Sequence, residues 1–397
     1  MLGLAVVLMG LMLAVWPSHA LESAAEPPLQ AAARALGEYQ GVLAEAADGT
    51  VLASQAADHA VHPASVTKIA TSLALLERLG PEYRFETRVL AGGAVRDGRL
   101  QGNLIVQAGG DPTLVYENVF LLLGRLHALG VREVTGGLAV DGPLLFNWKP
   151  DPAGERLRLA LAGQDGEPAW MAVRSLLPFR GLAHLRDVAL AFDGTVGSDG
   201  ITPRALAVHR SPPLVHILKW LNDYSNNVFH LVSDRIGGPA AVERAARARV
   251  PPGLQNEVII ANAAGAGDVN RMSPRAVVAL LRALDGELSR HRLSLPDALP
   301  VSGVDHGTLE ERFRDRRAMV VGKTGTFGDV GASALVGAVQ TRRWGVVTFA
   351  ILNSWVPVPE ARRRQDAFVR ALLDAGGGIP WSYRASKAAP YTDATLE

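Results

Sequence analysis

Between Pro63 and the dipeptide Gly80-Pro81, the run Val66 to Leu79 places apolar residues at Val66, Ile69, Ala70, Leu73, Leu75, Leu76 and Leu79. At helical spacing these positions cover most of the circumference, and a helix that is apolar all round must be wrapped by other elements. The flanking Pro and Gly bracket it, with a start expected near Ser65. The chain therefore has to build a core around a central helix. Its 397 residues, 48% hydrophobic and 20% charged, supply ample apolar material for that core and more chain than one compact lobe uses, so two lobes are expected.

The segments around the helix indicate what wraps it. Tyr39 to Ala53 alternates about Asp48-Gly49, which predicts two antiparallel strands joined by a tight turn. From Phe85 to about Val208, short alternating runs are broken by Gly92-Gly93, Asp97-Gly98, Gly109-Gly110, Asp141-Gly142 and Asp193-Gly194, the punctuation of a smaller strand-rich lobe. Ser211-Pro212-Pro213 opens a helical stretch from Leu214 to about Ile236, and further helical patterns follow to Leu284. The closing run, Met319 to Val339 and Gly345 to Leu352, reads as two adjacent strands. The expected fold is an α/β sandwich with a central antiparallel sheet flanked by helices. Its main domain would be discontinuous (21–85 and 209–385), with residues 86–208 as an inserted domain and 386–397 as a polar tail.

Composition removes several classes of function. A formal charge of +1 offers no general attraction to nucleic acid, and the clusters Arg342-Arg343 and Arg362-Arg363-Arg364 read as solvated helix or turn surface. With no cysteine, disulfides, thiol nucleophiles and cysteine-ligated metals are excluded, so any covalent catalyst is an oxygen or an amine. The ten His show no paired ligand spacing, no phosphate-binding loop is visible, and no cofactor or metal is expected. Residues 1–20, an apolar run to Trp16 followed by Pro17 and Ser18-His19-Ala20, have the pattern of a signal peptide, with an uncleaved anchor as the alternative. That predicts export to the periplasm or another extracytoplasmic space, without a stable membrane anchor after cleavage. The stretch from Pro380 is polar and has no amphipathic face.

Three short motifs could carry chemistry. Ser65-Val66-Thr67-Lys68 sets a hydroxyl and an amine at i and i+3, on one face of a helix and within reach of each other. A lysine held among apolar neighbours can lose its proton near neutral pH and activate a serine, although Ser65 would equally suit a helix cap. Tyr224-Ser225-Asn226-Asn227 offers a hydroxyl and two amides, or a turn cluster. Gly322-Lys323-Thr324-Gly325-Thr326 puts a cation, two hydroxyls and a position without a side chain on a predicted strand, where a substrate backbone could approach.

Taken in order, Ser-x-x-Lys, Ser-x-Asn and Lys-Thr-Gly resemble the signature elements of penicillin-binding proteins and serine β-lactamases. The likeness extends to Pro63-Ala64 before the first, Leu79 to Phe85 after it, Gly109 to Leu114, Ser211 to Leu214, Ser302-Gly303 and Gly307-Thr308-Leu309. These resemble the class C low-molecular-mass penicillin-binding proteins, a family of D-alanyl-D-alanine carboxypeptidases and endopeptidases, over about Gln40 to Trp355.

The resemblance implies that Ser65 attacks the bond between two D-alanines of a peptidoglycan stem peptide while Lys68 takes its proton, and that β-lactams acylate the same serine. Ser225 and Lys323 would return a proton to the leaving amine, and Asn227 would bind the substrate's acyl-side amide. Thr324 would receive the terminal carboxylate, the N–H groups of Ser65 and Thr326 would form the oxyanion hole, and Asn226 and Gly325 would line the substrate site. One stretch departs from the family: Asn262-Ala263-Ala264-Gly265 stands where Asp-Gly-Ser-Gly is usual, although Asn270-Arg271-Met272-Ser273-Pro274 is intact. That stretch raises the rival expectation of a wall-binding protein with poor turnover, and the shared fold raises that of a β-lactamase.

Overall fold

The computed structural model describes residues 26–194, 202–328, 331–385 and 394–397. The expected signal segment 1–20 lies outside the described residues. Helix α1 (Pro27–Arg34) leads into strands β1 (Gly41–Glu45) and β2 (Val51–Gln55), and a 3-10 turn (Ala64–Val66) opens helix α2 (Thr67–Leu79). A helix thus precedes the hairpin. Leu29, Ala33 and Leu36, at helical spacing and at most 1% exposed, seat α1 on the sheet.

Next come β3 (Glu86–Ala91), β4 (Leu104–Ala108), α3 (Tyr116–Ala128), β5 (Leu138–Asp141), α4 (Glu155–Leu161), α5 (Pro168–Leu176) and β6 (Arg204–Arg210). The segment expected to be strand-rich therefore also holds three helices. In α3, Tyr116, Val119, Phe120, Leu123 and Leu126 repeat at helical spacing and are all buried, a period that the Gly punctuation on either side obscured.

Helices α6 (Leu214–Asp223), α7 (Phe229–Ser233), α8 (Gly238–Arg249) and α9 (Pro274–Arg290) lead to β7 (Val320–Phe327), β8 (Ala332–Thr341), β9 (Gly345–Asn353) and α10 (Val358–Gly376). The helical stretch expected from Leu214 to Ile236 breaks at Tyr224–Val228, where Ser225 has φ +54°. The closing run is three strands rather than two, because β7 ends at Phe327 and β8 restarts at Ala332. Of the expected polar tail, residues 386–393 lie outside the described residues, and Thr395–Leu396 pairs antiparallel with His209 and Arg210 of β6.

The central sheet has the order β7-β8-β9-β1-β2, antiparallel throughout, with Gly378–Ile379 added against the end of β8. Both faces are covered. Val42, Leu335 and Phe349 pack with Leu29, Phe368 and Leu372 of α1 and α10, while Leu43, Val336 and Ala350 face Leu73 of α2 and Leu281 of α9. Helix α2 is thus enclosed as its sequence demands, and truncating Leu73, which is 0% exposed, to Ala would cost about 2–5 kcal/mol. A second sheet, Thr395–Leu396, β6, β3, β4 and β5, packs with α3, α4 and α5 around a separate apolar cluster that includes Val106, Phe120, Phe146 and Trp170.

Candidate active site

Ser65 lies in the 3-10 turn that opens α2, and Lys68 one turn along, so both project from one end of the buried helix. Lys68 Nζ is 2.8 Å from Ser65 Oγ, and it also donates to Asn227 Oδ1 at 3.1 Å and to the Ala264 carbonyl oxygen at 2.6 Å. The amine is fully buried. Burial, seconded by the nearby charge of Lys323, brings its pKa down to about 6. At neutral pH Lys68 is then mostly a free amine, able to accept the Ser65 hydroxyl proton.

Ser225 and Asn227 come from the break between α6 and α7. The left-handed backbone at Ser225 turns its hydroxyl to Lys323 Nζ, 2.9 Å away on β7. Lys323 also donates to the Thr324 carbonyl at 2.9 Å. Burial lowers its pKa to about 7, with Asp223 at the end of α6 opposing the shift. Asp223 is moved the other way, up to about 7, chiefly by its own burial against the pull of Lys219. Two lysines and two serines thus meet where α2, the α6–α7 turn and β7 converge.

The remaining expected residues divide. Thr324 is 8% exposed, and Thr326 at the open end of β7 accepts a hydrogen bond from Arg362 Nη2 of α10 at 3.2 Å. Asn226 is not joined to this cluster by its amide oxygen, which accepts the Val228 N–H at 2.9 Å and closes the turn that presents Asn227. Gly325 is also bare for a packing reason. A Cβ there would stand 2.7 Å from the Pro63 carbonyl oxygen and 3.1 Å from Ala64 Cβ, so its bareness lets β7 close against the Ser65 turn.

At Asn262-Ala263-Ala264-Gly265, the stretch that departs from the family pattern, backbone carbonyls meet two side chains of α2. Ala264 O receives Lys68 and Ala263 O receives Thr71 Oγ1 at 2.7 Å. Asn262 Oδ1 accepts the N–H groups of Ala264 and Ala266, and Asn270 Oδ1 those of Ala261 and Asn262. Asn270 Nδ2 then ties the loop to Thr67 Oγ1 at 3.1 Å. Thr71, Asp223, Arg362 and the Ala264 carbonyl all escaped the sequence reading. A carbonyl has no residue-type signal, while Arg362 was legible only as surface charge. Among the described residues, no group of His, Asp and Glu is arranged to hold a metal ion.

The fold and this convergence of Ser-x-x-Lys, Ser-x-Asn and Lys-Thr-Gly define the class of penicillin-binding and β-lactamase-like proteins. Within that class, residues 26–149 and 185–374 match the model of the D-Ala-D-Ala carboxypeptidase 3 (S13) family, and the chain belongs to it. The match lapses over 150–184, the segment that carries α4 and α5. A carboxypeptidase of Mycobacterium tuberculosis is 28% identical over 383 residues, 86% of this chain and 81% of its own. A penicillin G-acylated predatory endopeptidase from Bdellovibrio bacteriovorus is similar in fold, with a TM-score of 0.74 at 20% identity over 90% of this chain and 99% of that one. Penicillin-binding protein 4 of Haemophilus influenzae, solved with a β-lactam, gives 0.63 at 20% identity over 87% and 98%.

Proposed function

We propose that this protein is an exported serine-type D-Ala-D-Ala carboxypeptidase that hydrolyses peptidoglycan stem peptides through an acyl-enzyme on Ser65, with endopeptidase cleavage of crosslinks as a related activity. The observation that carries this reading is the Ser65–Lys68 pair, 2.8 Å apart with an amine whose pKa lies near 6.

Ser65 Oγ attacks the carbonyl carbon between the two D-alanines as its proton passes to Lys68 Nζ. The backbone N–H groups of Ser65 and Thr326 receive the developing oxyanion, a contribution for which one donor is typically worth about 100-fold or more in rate. When the C–N bond breaks, the leaving amine takes the Ser225 hydroxyl proton, which Lys323 replaces. The proton that Lys68 took from Ser65 passes through Ser225 to Lys323, so that Lys68 is neutral again; water then attacks the ester and gives its proton to Lys68, and that proton returns to Ser65 Oγ as the shortened peptide leaves. Asn227 would hold the acyl-side amide, and Thr324 the terminal carboxylate with Arg362 adding positive charge at that end of β7. We also propose that residues 86–208 form an inserted domain, a division supported by their separate apolar cluster.

Intact-protein mass after incubation with benzylpenicillin should show one adduct on the wild type and none on Ser65→Ala, and D-alanine should be released from a pentapeptide. Absence of the wild-type adduct, or its persistence in Ser65→Ala, refutes the assignment. Acylation without D-alanine release points to the wall-binding alternative, and fast adduct turnover to a β-lactamase.

A further inference from the structure

His62 lies three residues ahead of Ser65, is 6% exposed, and has no part in the steps above. Both ring nitrogens are committed to backbone groups. Nδ1 accepts the Ala64 N–H at 3.1 Å, and Nε2 lies 2.7 Å from the Gly267 carbonyl oxygen, to which it donates. The neutral ring protonated on Nε2 makes both bonds. A proton on Nδ1 would confront the Ala64 N–H, so neither the other tautomer nor the imidazolium can hold it.

What the ring holds is strained and close to the chemistry. Ala64 has φ +48°, a left-handed conformation that alanine keeps only where its surroundings impose it, and the peptide after it carries the Ser65 N–H. The other face of the arrangement is β7: the imidazole stacks on Phe327, the residue after Thr326, at a centroid distance of 4.8 Å and 26°. One ring therefore spans the turn and the strand that bear the two oxyanion donors. Its own segment is pinned by the reciprocal backbone bonds of Val61 with Met272, at 3.0 and 2.9 Å.

We propose that His62 is a positioning residue that, in its neutral form, fixes the Ser65 turn against the Thr326 strand and, when protonated, releases it, so that acylation carries a second proton-dependent control besides Lys68. This rests on the acyl-enzyme reading. Burial holds the ring below the ordinary histidine pKa, against its bond to Gly267; Arg271 opposes protonation and Asp268 favours it. Those two charges come from the 262–272 loop, whereas Phe327 on the strand and Ala64 on the turn bring none.

Two measurements on the full chain test this. In nitrogen-15 NMR at pH 7.5, with His62 assigned by its loss in His62→Asn, Nδ1 should be unprotonated and Nε2 protonated, and the ring should titrate below 6.5. A proton on Nδ1 overturns the proposal. Penicillin acylation is followed from pH 8 down to the lowest pH at which circular dichroism shows a folded protein. The logarithm of the wild-type rate should steepen toward a slope of about two, one proton each for Lys68 and His62. His62→Asn, whose amide oxygen can take the Ala64 N–H without titrating, should keep most of the rate at pH 7.5 and fall with a slope of about one. His62→Leu, which strands that N–H, should lose about tenfold at every pH. A slope unchanged in His62→Asn, or wild-type acylation in His62→Leu, overturns the proposal. A wild type that is never acylated refutes the proposed function instead, and the ring titration then decides the His62 question alone.

Discussion

Replacing Asn227 by Asp tests the proposed base most directly, because it exchanges an amide for a carboxylate beside Lys68. Asn227 Oδ1 is 3.1 Å from Lys68 Nζ. A full negative charge at that distance would attract the ammonium by about 5 kcal/mol at an effective dielectric of about 20, equivalent to nearly 4 pKa units. Position 227 is exposed, so water screens much of this, and about 2 units is the reasonable expectation. Lys68 would then titrate two units above its value of about 6, near 8. Its neutral fraction at pH 7 falls from roughly nine-tenths to roughly one-tenth, and acylation should fall about tenfold with it. The assay is the second-order rate of penicillin acylation between pH 5 and 9.5. In the wild type the rate should rise through about 6 as Lys68 loses its proton and decline above about 7 as Lys323 loses its charge, a bell whose limbs belong to the coupled pair. In Asn227→Asp the acid limb should move about 2 units toward alkaline pH. If the limb stays in place while the amplitude falls, Asn227 acts only on the substrate and Lys68 is not the base.

Other consequences are equally open to measurement. Lys68→Met should abolish acylation yet raise Tm by a few degrees at pH 7. The unfolded chain binds a proton at Lys68 that the folded state, titrating near 6, resists, so the native lysine costs stability below the ordinary lysine value of 10.5. The gain should shrink as pH rises toward that value, and a Tm that falls at pH 7 would contradict the burial argument. Gly265→Ala would drive a Cβ to 1.9 Å from the Ala64 carbonyl oxygen at φ +79°, displacing the Ser65 turn. Acylation should drop about 100-fold or more, read by adduct formation at fixed time. Arg362→Gln should raise KM for D-alanine release severalfold with little change in kcat, and should leave a substrate with an amidated C-terminus unaffected.

Much of this molecule was legible before its coordinates. The central helix announced itself through Val66 to Leu79, because all-round apolarity has one physical solution, enclosure. The hairpin about Asp48-Gly49 and the terminal strands followed from turn chemistry and period. For α10 only the Arg362-Arg363-Arg364 face was read, as solvated helix or turn surface, and the apolar face of Phe368, Val369, Leu372 and Leu373 that meets the sheet was not. In the same way, the Gly and Asp-Gly punctuation between Phe85 and Val208 marked turns correctly but concealed α3 between them.

The site shows the same division. Residue type and spacing alone brought Ser65 to Lys68, because i and i+3 meet on any helix. Order along the chain, together with a family resemblance, selected Ser225, Asn227 and Lys323, but no local rule could show that the α6–α7 break turns Ser225 to Lys323. Nor could it show that Ala263 and Ala264 act through carbonyls, that Gly325 makes room for Pro63, or that His62 bridges a turn and a strand more than 260 residues apart in sequence. Sequence determined which groups are present and which local elements carry them. Tertiary structure decided their partners, their burial and hence their charge, because desolvation and long-range hydrogen bonds exist only once distant segments have packed.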